Sequence, residues 1–373
     1  MSRPVKTMKD ELDDAKEIIR KQAQQINVQH KEIRKIKQDN DAAEKIRTEI
    51  YGLKAYTPDP PTWIVEQRDA KLPGVPMTIW SDLHAGEVVK PHQVGGVNEF
   101  NHKVLEQRMV RLVETTVDLA VHHMVNPKYP GIVVMLGGDM ITGMIHDDLR
   151  ESNEGPVQVS LLKVQNLLIA ALTAMADQFG KVFVPCVVGN HGRDTLKPRT
   201  KNAVFQSYEW NLYCQLELYF RNDKRIQFFI PEETDAYFKV LGHRFLLTHG
   251  DNLGVKGGDG IIGVLGPMAR GAIKVGRSEA QIGRDFDTIV IGHYHTFVPR
   301  SDAMPLLANG AVIGYNEYAR LRLRVPYSRP SQALWFMHQK HGFTATWPVY
   351  LDKKRKAIDN GQWVTWQQQE KTV

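Results

Sequence analysis

The chain has 373 residues, 42% hydrophobic and 24% charged, with a formal net charge of +6. Such a length supports a large core, those fractions are ordinary for a soluble globular protein, and the basic balance favours polyanionic partners. No apolar run stands out at the roughly 18 residues of a membrane span, residues 1–9 lack the apolar stretch of a secretory signal, and Cys186 and Cys214 alone build neither a disulfide framework nor a cysteine zinc site.

In chain order, residues 4–52 carry no glycine before Gly52 and no proline after Pro4. Leu12, Ile19, Ile26 and Ile33 recur every seven residues, with Met8, Ala15, Gln22, Gln29, Ile36, Ala43 and Ile50 as companions, which is a heptad seam with polar interruptions. The expectation is an N-terminal helix over 1–55 that self-associates through residues 5–52 as a coiled-coil dimer or trimer. A single charged helix packed on its own domain is the alternative. Pro58, Pro60, Pro61 and Pro73 make 56–75 a linker. A catalytic domain over 76–350 follows, then a basic and polar tail over 351–373.

Within 76–350 the apolar pattern predicts strands at 77–80, 131–136 and 182–188, separated by helices over 98–125 and 157–179, with a further helix over 203–219. The second half turns strand-rich, at 225–229, 236–241, 244–248, 288–291, 306–313, 333–338 and 343–348. Five short motifs sit at strand ends: Asp82-Leu83-His84, Gly137-Gly138-Asp139, Gly189-Asn190-His191, His249-Gly250-Asp251 and Gly292-His293-Tyr294-His295. Open α/β sheets place their ligands at those ends.

Each motif alone is weak; together they supply Asp82, Asp139, Asn190 and five histidines as candidate donors. Mixed oxygen and imidazole donors suit Mn²⁺ first, with Fe, Zn²⁺ and Mg²⁺ as alternatives. Two such ions roughly 3.5–4 Å apart clamp a phosphoryl group and make bound water acidic enough to attack it. The donor inventory therefore reads as a two-metal phosphoesterase.

This ordered set resembles the calcineurin-like metallophosphoesterase superfamily over about residues 76–350. The resemblance implies a four-layer α/β/β/α sandwich in which Asp139 bridges two divalent ions. Asp82, His84 and His295 would hold one ion, and Asn190, His249 and His293 the other. His191 would stay outside the ligand set, stabilising the transition state and protonating the leaving oxygen after a hydroxide between the ions attacks phosphorus. Protein phosphatases of the superfamily carry an arginine after the bridging aspartate region and an acid after Gly-Asn-His. This chain has Met140-Ile141-Thr142 and Gly192-Arg193 there. Gly-Gly-Asp followed by apolar residues is more similar to the SbcD-type nucleases of DNA repair. Residues 309–315 resemble a late stretch of phage-encoded metallophosphoesterases, which would place the chain in a host cytoplasm; otherwise a cytoplasmic protein is expected.

Basic residues beside the motifs extend this reading. Arg193, Lys197 and Arg199 follow the Gly-Asn-His motif and are the candidate substrate-binding residues. Residues 254–276, with Lys256, Arg270 and Lys274, read either as a long flexible basic loop that closes on a polyanion or as a poorly ordered insertion. Tyr208, Trp210, Tyr213, Tyr315 and Tyr318 are candidates for core packing or base stacking. His92, His102 and His146 are expected on the surface or at caps, Asp147 and Asp148 on a loop, and Asp251 behind a ligand imidazole. The expectation is a DNA exonuclease or endonuclease. A phosphoesterase for nucleotides or other small molecules and a coiled-coil nucleic-acid scaffold are the alternatives.

Overall fold

The computed structural model describes residues 74–124, 128–145, 147–253, 265–301 and 305–352, together with Lys31. The expected coiled coil of 1–55, most of the linker 56–75, His146, Lys256 and the tail beyond Asp352 lie outside the described residues. Gly74 and Val75, assigned to the linker, instead lead into the first strand.

Eleven strands and five α-helices follow in chain order. They are β1 (Val75–Trp80), α1 (His102–Val117), β2 (Ile132–Leu136), α2 (Asp147–Ser152), α3 (Val157–Phe179), β3 (Val182–Pro185), α4 (Tyr208–Phe220) and β4 (Ile226–Phe229). Then come β5 (Asp235–Val240), β6 (His243–Thr248), α5 (Leu265–Gln281), β7 (Thr288–Ile291), β8 (Val298–Arg300), β9 (Leu306–Ala308), β10 (Ser331–His338) and β11 (Gly342–Tyr350). One sheet has the order β11-β10-β1-β2-β3-β4, the other β5-β6-β7-β9-β8. Strands β1 to β4 are mutually parallel, so each step needs a crossover, and α1, α3 and α4 supply them.

Every residue of β1 and β2 is buried, as expected for strands covered on both faces. Their two faces serve different cores. Met77, Ile79, Val133 and Met135 meet Ala236, Phe245, Leu247, Val290 and Leu307 of the second sheet. Trp80, Val134 and Leu136 point the other way, onto Leu105 and Leu112 of α1, Leu168 and Leu172 of α3, and Leu212 and Leu216 of α4. On the far side, Met268 and Ala272 of α5 cover Leu246, Ile289 and Ile291. The four-layer α/β/β/α sandwich expected from the resemblance is the fold observed.

Some expectations change. Residues 265–281 form α5 rather than a flexible loop, despite three glycines. Gly271 is there for contact, since a Cβ at this position would lie 2.7 Å from the Leu253 Cβ. Helix α2 replaces the loop expected at Asp147. The strand expected over 306–313 ends at Ala308, because 309–313 turn away to serve the site described below. Helix α3 is long and apolar enough to cross a membrane by length and composition. In this fold Val164, Leu168, Leu172 and Met175 of that helix are buried in the first core.

Asp235, opposite Thr248 in the β5–β6 register, is pushed up to about 6 by burial against its hydrogen bond to Thr248. A carboxyl raised from 3.8 keeps its proton in the fold and loses it in the unfolded chain, so stability falls as pH rises from about 4 to 6. Asp235→Asn removes that slope. Urea denaturation should find the variant more stable by up to about 2 kcal/mol at pH 7.5 and level with wild type near pH 4; parallel profiles across that range would contradict this account.

Candidate metal centre

The five motifs all follow strands whose carboxyl ends share one edge of the sandwich. Asp82 and His84 follow β1, Asp139 follows β2, Asn190 and His191 follow β3, His249 follows β6, and His293 and His295 follow β7. Neighbouring strands thus deliver neighbouring donors. The backbone must turn sharply to aim them inward: φ is +55° at Asp82, +49° at His84, +53° at Asp139, +64° at His293 and +52° at His295.

The donors form groups of the size that holds an ion. Asp82, His84 and His295 make one group and Asp139, His249 and His293 another, with donor atoms within 4.8 Å of one another in each. The first group is the Asp82, His84 and His295 triplet read from sequence, and the second joins His249 and His293 to Asp139, the residue expected to bridge. Asp82 Oδ1 lies 3.2 Å from His295 Nε2, and the two Asp82 oxygens accept the His293 N–H at 3.0 and 3.2 Å. The Ser81 hydroxyl also donates to Asp82. Asp139 reaches both groups: its Oδ2 is 3.0 Å from His249 Nε2 and 3.8 Å from His84 Nε2. Asn190 has a buried Oδ1 with no hydrogen-bond partner among the described residues, an unspent oxygen one residue beyond Gly189, whose backbone packs against Asp139.

Burial and the paired charges set the protonation pattern. Burial would raise the Asp139 carboxyl, yet the imidazoles of His249, His191 and His84 hold it well below the usual carboxylate range. His249 rises well above an ordinary imidazole because Asp139 outweighs its desolvation. Burial and the neighbouring His249 take His293 down to about 4. The donor set fits two divalent cations: oxygen and imidazole donors, mostly buried, gather around one carboxylate, and a cation bound beside Asp139 would take the place of the proton that this carboxylate holds on His249.

His191 has a distinct setting. Its N–H donates to Asp139 Oδ1 at 2.7 Å, and its Nδ1 lies 3.0 Å from the Thr142 carbonyl. A carbonyl only accepts, so Nδ1 carries the proton and Nε2 is the nitrogen left for proton exchange. The ring stands edge-on to His84 at 4.7 Å, and His84, Asp139 and His191 form a third ligand-sized group. Sequence reasoning kept His191 apart from the ligands, whereas the fold sets it against them.

Other expectations are redrawn. His249 is oriented by the Gly137 carbonyl, 2.8 Å from its Nδ1, rather than by Asp251, which is exposed. Arg193 spends three N–H groups on carbonyls of its own loop, at Asn190, Thr195 and Leu196, and so staples the loop. Lys197 and Arg199 are exposed beyond it. His102 is buried at the start of α1 against Ser160 and Glu154, not on the surface. Tyr213 is core, its hydroxyl on the Val187 carbonyl at 3.1 Å. Tyr318 is exposed.

One residue escaped the sequence reading. Glu209, in the first turn of α4, is fully buried, and its two oxygens accept the Met140 N–H at 2.6 Å and the Gly189 N–H at 2.7 Å. It ties the loop of Asp139 to the loop of Asn190. Burial, with Asp139 nearby, pushes its carboxyl up to about 7. A Cβ on Gly192 would lie 2.5 Å from Glu209 Cγ and Cδ, so the glycine after Gly-Asn-His makes room for an acid delivered from another element. The missing acid at 192 was the available signal.

No protein-family model matches the chain, and no curated protein matches it. Similar solved structures include a Vps29 from Entamoeba histolytica, at 11% identity over 74% of this chain and 99% of that one, TM-score 0.32. A dimetal phosphatase from Danio rerio shares 13% identity over 75% and 100%, TM-score 0.35. The phosphopantetheinyl hydrolase of Mycobacterium tuberculosis shares 13% over 68% and 94%, TM-score 0.27. The fold and site define a two-sheet α/β sandwich with a paired donor centre at its strand ends, and the chemistry of that centre follows from its own donors.

Glu209→Gln keeps the volume but places an amide N–H₂ against a backbone N–H. Metal affinity, measured by chelator competition, should fall about 10–100-fold. Unaltered affinity would reduce Glu209 to a packing residue.

Proposed function

We propose that this chain is a dinuclear metal-dependent phosphoesterase whose substrates are phosphodiesters of nucleic acid. The observation that carries the reading is the pair of ligand-sized groups joined through Asp139. Divalent ions bound there would supply charge neutralisation for a phosphoryl group and an activated water. Asp82, His84 and His295 would hold one, Asn190, His249 and His293 the other, and Asp139 both. Protonated on both nitrogens as an imidazolium, His191 would hand its Nε2 proton to the departing oxygen and keep the Nδ1 proton held by the Thr142 carbonyl.

The polymer reading draws support from the loop after His191. Lys197, Arg199 and Lys201 are exposed there, and Arg199 lines a depression with Asn190, Arg193 and Asp251. Cations in that place favour a substrate with phosphates beyond the one attacked. Mn²⁺ is the proposed metal and DNA the proposed polymer, by likeness of the motifs to the SbcD-type nucleases. Self-association through residues 5–52 and a cytoplasmic setting complete the proposal.

Purified full-length protein with Mn²⁺ should degrade end-labelled DNA and hydrolyse bis(p-nitrophenyl) phosphate. His191→Ala should retain its metal and lose roughly 10²–10⁴-fold in rate, whereas Asp139→Ala should lose metal and activity together. Hydrolysis of the small diester with DNA untouched would move the assignment to small phosphoesters. No hydrolysis with Mn²⁺, Fe²⁺ or Zn²⁺ would overturn it.

A further inference from the structure

A segment with no role in the centre leaves the fold at one donor and returns at another. Before it, the N–H groups of Val312 and Ile313 bond the Asp82 carbonyl at 3.0 and 3.3 Å. At its end, the Ser328 hydroxyl donates to the His295 carbonyl at 3.4 Å. Between them, Asn316 donates to Glu87 Oε1 at 2.9 Å and accepts the Ala319 N–H at 3.0 Å, opening a π turn over Ala319–Leu323. The Tyr315 hydroxyl donates to the Val325 carbonyl at 3.1 Å, and Arg320 is held on the Gln93 carbonyl at 2.5 Å. The base of the segment is thus pinned to Asp82 and His295, two members of one donor group.

Its outer surface combines guanidinium groups with aromatic and aliphatic side chains. Arg322 and Arg324 are exposed, and neither has a hydrogen bond or ion pair from its guanidinium among the described residues. Tyr318 at 61%, Leu321 at 53%, Leu323 at 46% and Tyr327 at 46% exposure stand with them. The π turn is an irregularity that recurs at functional sites, and here it lies in a segment whose two ends are bonded to the carbonyls of Asp82 and His295.

We propose that residues 318–327 form a ridge that binds a single nucleic acid strand. Arg322 and Arg324 pair with phosphates flanking the one under attack, and Tyr318 and Tyr327 stack on its bases. The proposal rests on the phosphodiesterase reading of the centre, which it extends to a strand-binding surface. A guanidinium fork matches phosphate oxygens at two points, and aromatic faces accept any base. An acidic protein partner would meet the arginines but leave the tyrosines without planar partners. The ridge hangs from the Asp82 and His295 group, while the Lys197–Lys201 loop follows Asn190 of the other, so a strand would be held from both halves of the donor set.

The test uses full-length, Mn²⁺-loaded protein and a fluorescein-labelled oligothymidylate, read by anisotropy over a range of salt. Arg322→Gln/Arg324→Gln should weaken binding about tenfold and flatten the plot of log K against log salt by about 1.4, at roughly 0.7 for each lost contact on a single strand. Tyr318→Ala/Tyr327→Ala should weaken binding with the slope intact. Lys224→Gln, before β4 and so at the opposite end of the sheet, serves as the control with wild-type binding. In turnover, the arginine pair should lose more on DNA than on bis(p-nitrophenyl) phosphate. Metal content and circular dichroism of each preparation exclude misfolding, since all four ridge side chains are exposed. An arginine variant that binds with wild-type affinity and slope overturns the ridge. So does one that loses only its binding to phosphatidylserine vesicles, which would make the ridge a membrane surface. Should the wild type cleave neither DNA nor the small diester, the reading of the centre fails, and the anisotropy still decides whether the ridge binds a strand.

Discussion

A dry carboxylate governs this molecule. Asp139 is almost wholly inaccessible, and an anion taken out of water is costly unless its oxygens are met by donors or cations. One oxygen takes the His191 N–H and the other faces His249 and His84. Asp82 and Glu209 are buried in the same neighbourhood, so like charges crowd a small volume. Imidazoles, backbone N–H groups, the Ser81 hydroxyl and bound cations are what can balance them. The approach of β3 to β2 is set by the same need: a Cβ on Gly189 would lie 2.1 Å from Asp139 Oδ1.

The two halves of the centre are held by different means. Under Asp82 lies a neutral and cationic lattice. Asn309 donates to Ser81 Oγ at 2.9 Å and to Gln332 Oε1 at 3.0 Å, and Arg108 donates to the carbonyls of Val312 and Ile313 at 2.6 and 2.7 Å. Burial brings the Arg108 guanidinium down to about 10, which leaves it charged at neutral pH. Position is thus passed from α1 through 312–313 to the Asp82 carbonyl. On the other side, Glu209 ties the loops of Asp139 and Asn190 as an acceptor, alongside the His191 bonds to Asp139 and Thr142. A cation braces one half and an acid the other.

Much of this was legible in the sequence, for reasons tied to particular residues. The apolar runs ending at Trp80, Leu136 and Ile291 are short, continuous and bounded by motif residues, so strand and donor were found together. The alternating helices and strands of the first half pointed to an open α/β sheet, and the order of layers came from the resemblance of the motif set. Less legible was anything decided by approach in space. Glu209 looks like an ordinary first-turn acid until Gly192 is seen to make room for it. The α5 helix was hidden by Gly266, Gly271 and Gly276, of which Gly271 answers to Leu253 rather than to its own helix. The short edge strand β8 carries Pro299 and only three residues, too few for a period to show. The run past Ala308 has strand-like composition, yet its backbone groups are drawn to Asp82 and β10.

The left-handed backbone at five donors bears on how such a chain changes over generations. That region is disfavoured for side chains in general and tolerated several-fold better by aspartate, asparagine and histidine, the same residues that offer oxygen or imidazole to a cation. Backbone shape and coordination chemistry therefore filter for the same few amino acids, and a branched replacement fails on both counts. Glycine fails on only one. A copy of this gene released from selection on chemistry would gain stability by exchanging donors for glycine, since each strained position costs about 1–3 kcal/mol. Its sandwich would outlast its metals, and the trace of the lost activity would be glycines where Asp82, His84, Asp139, His293 and His295 now stand.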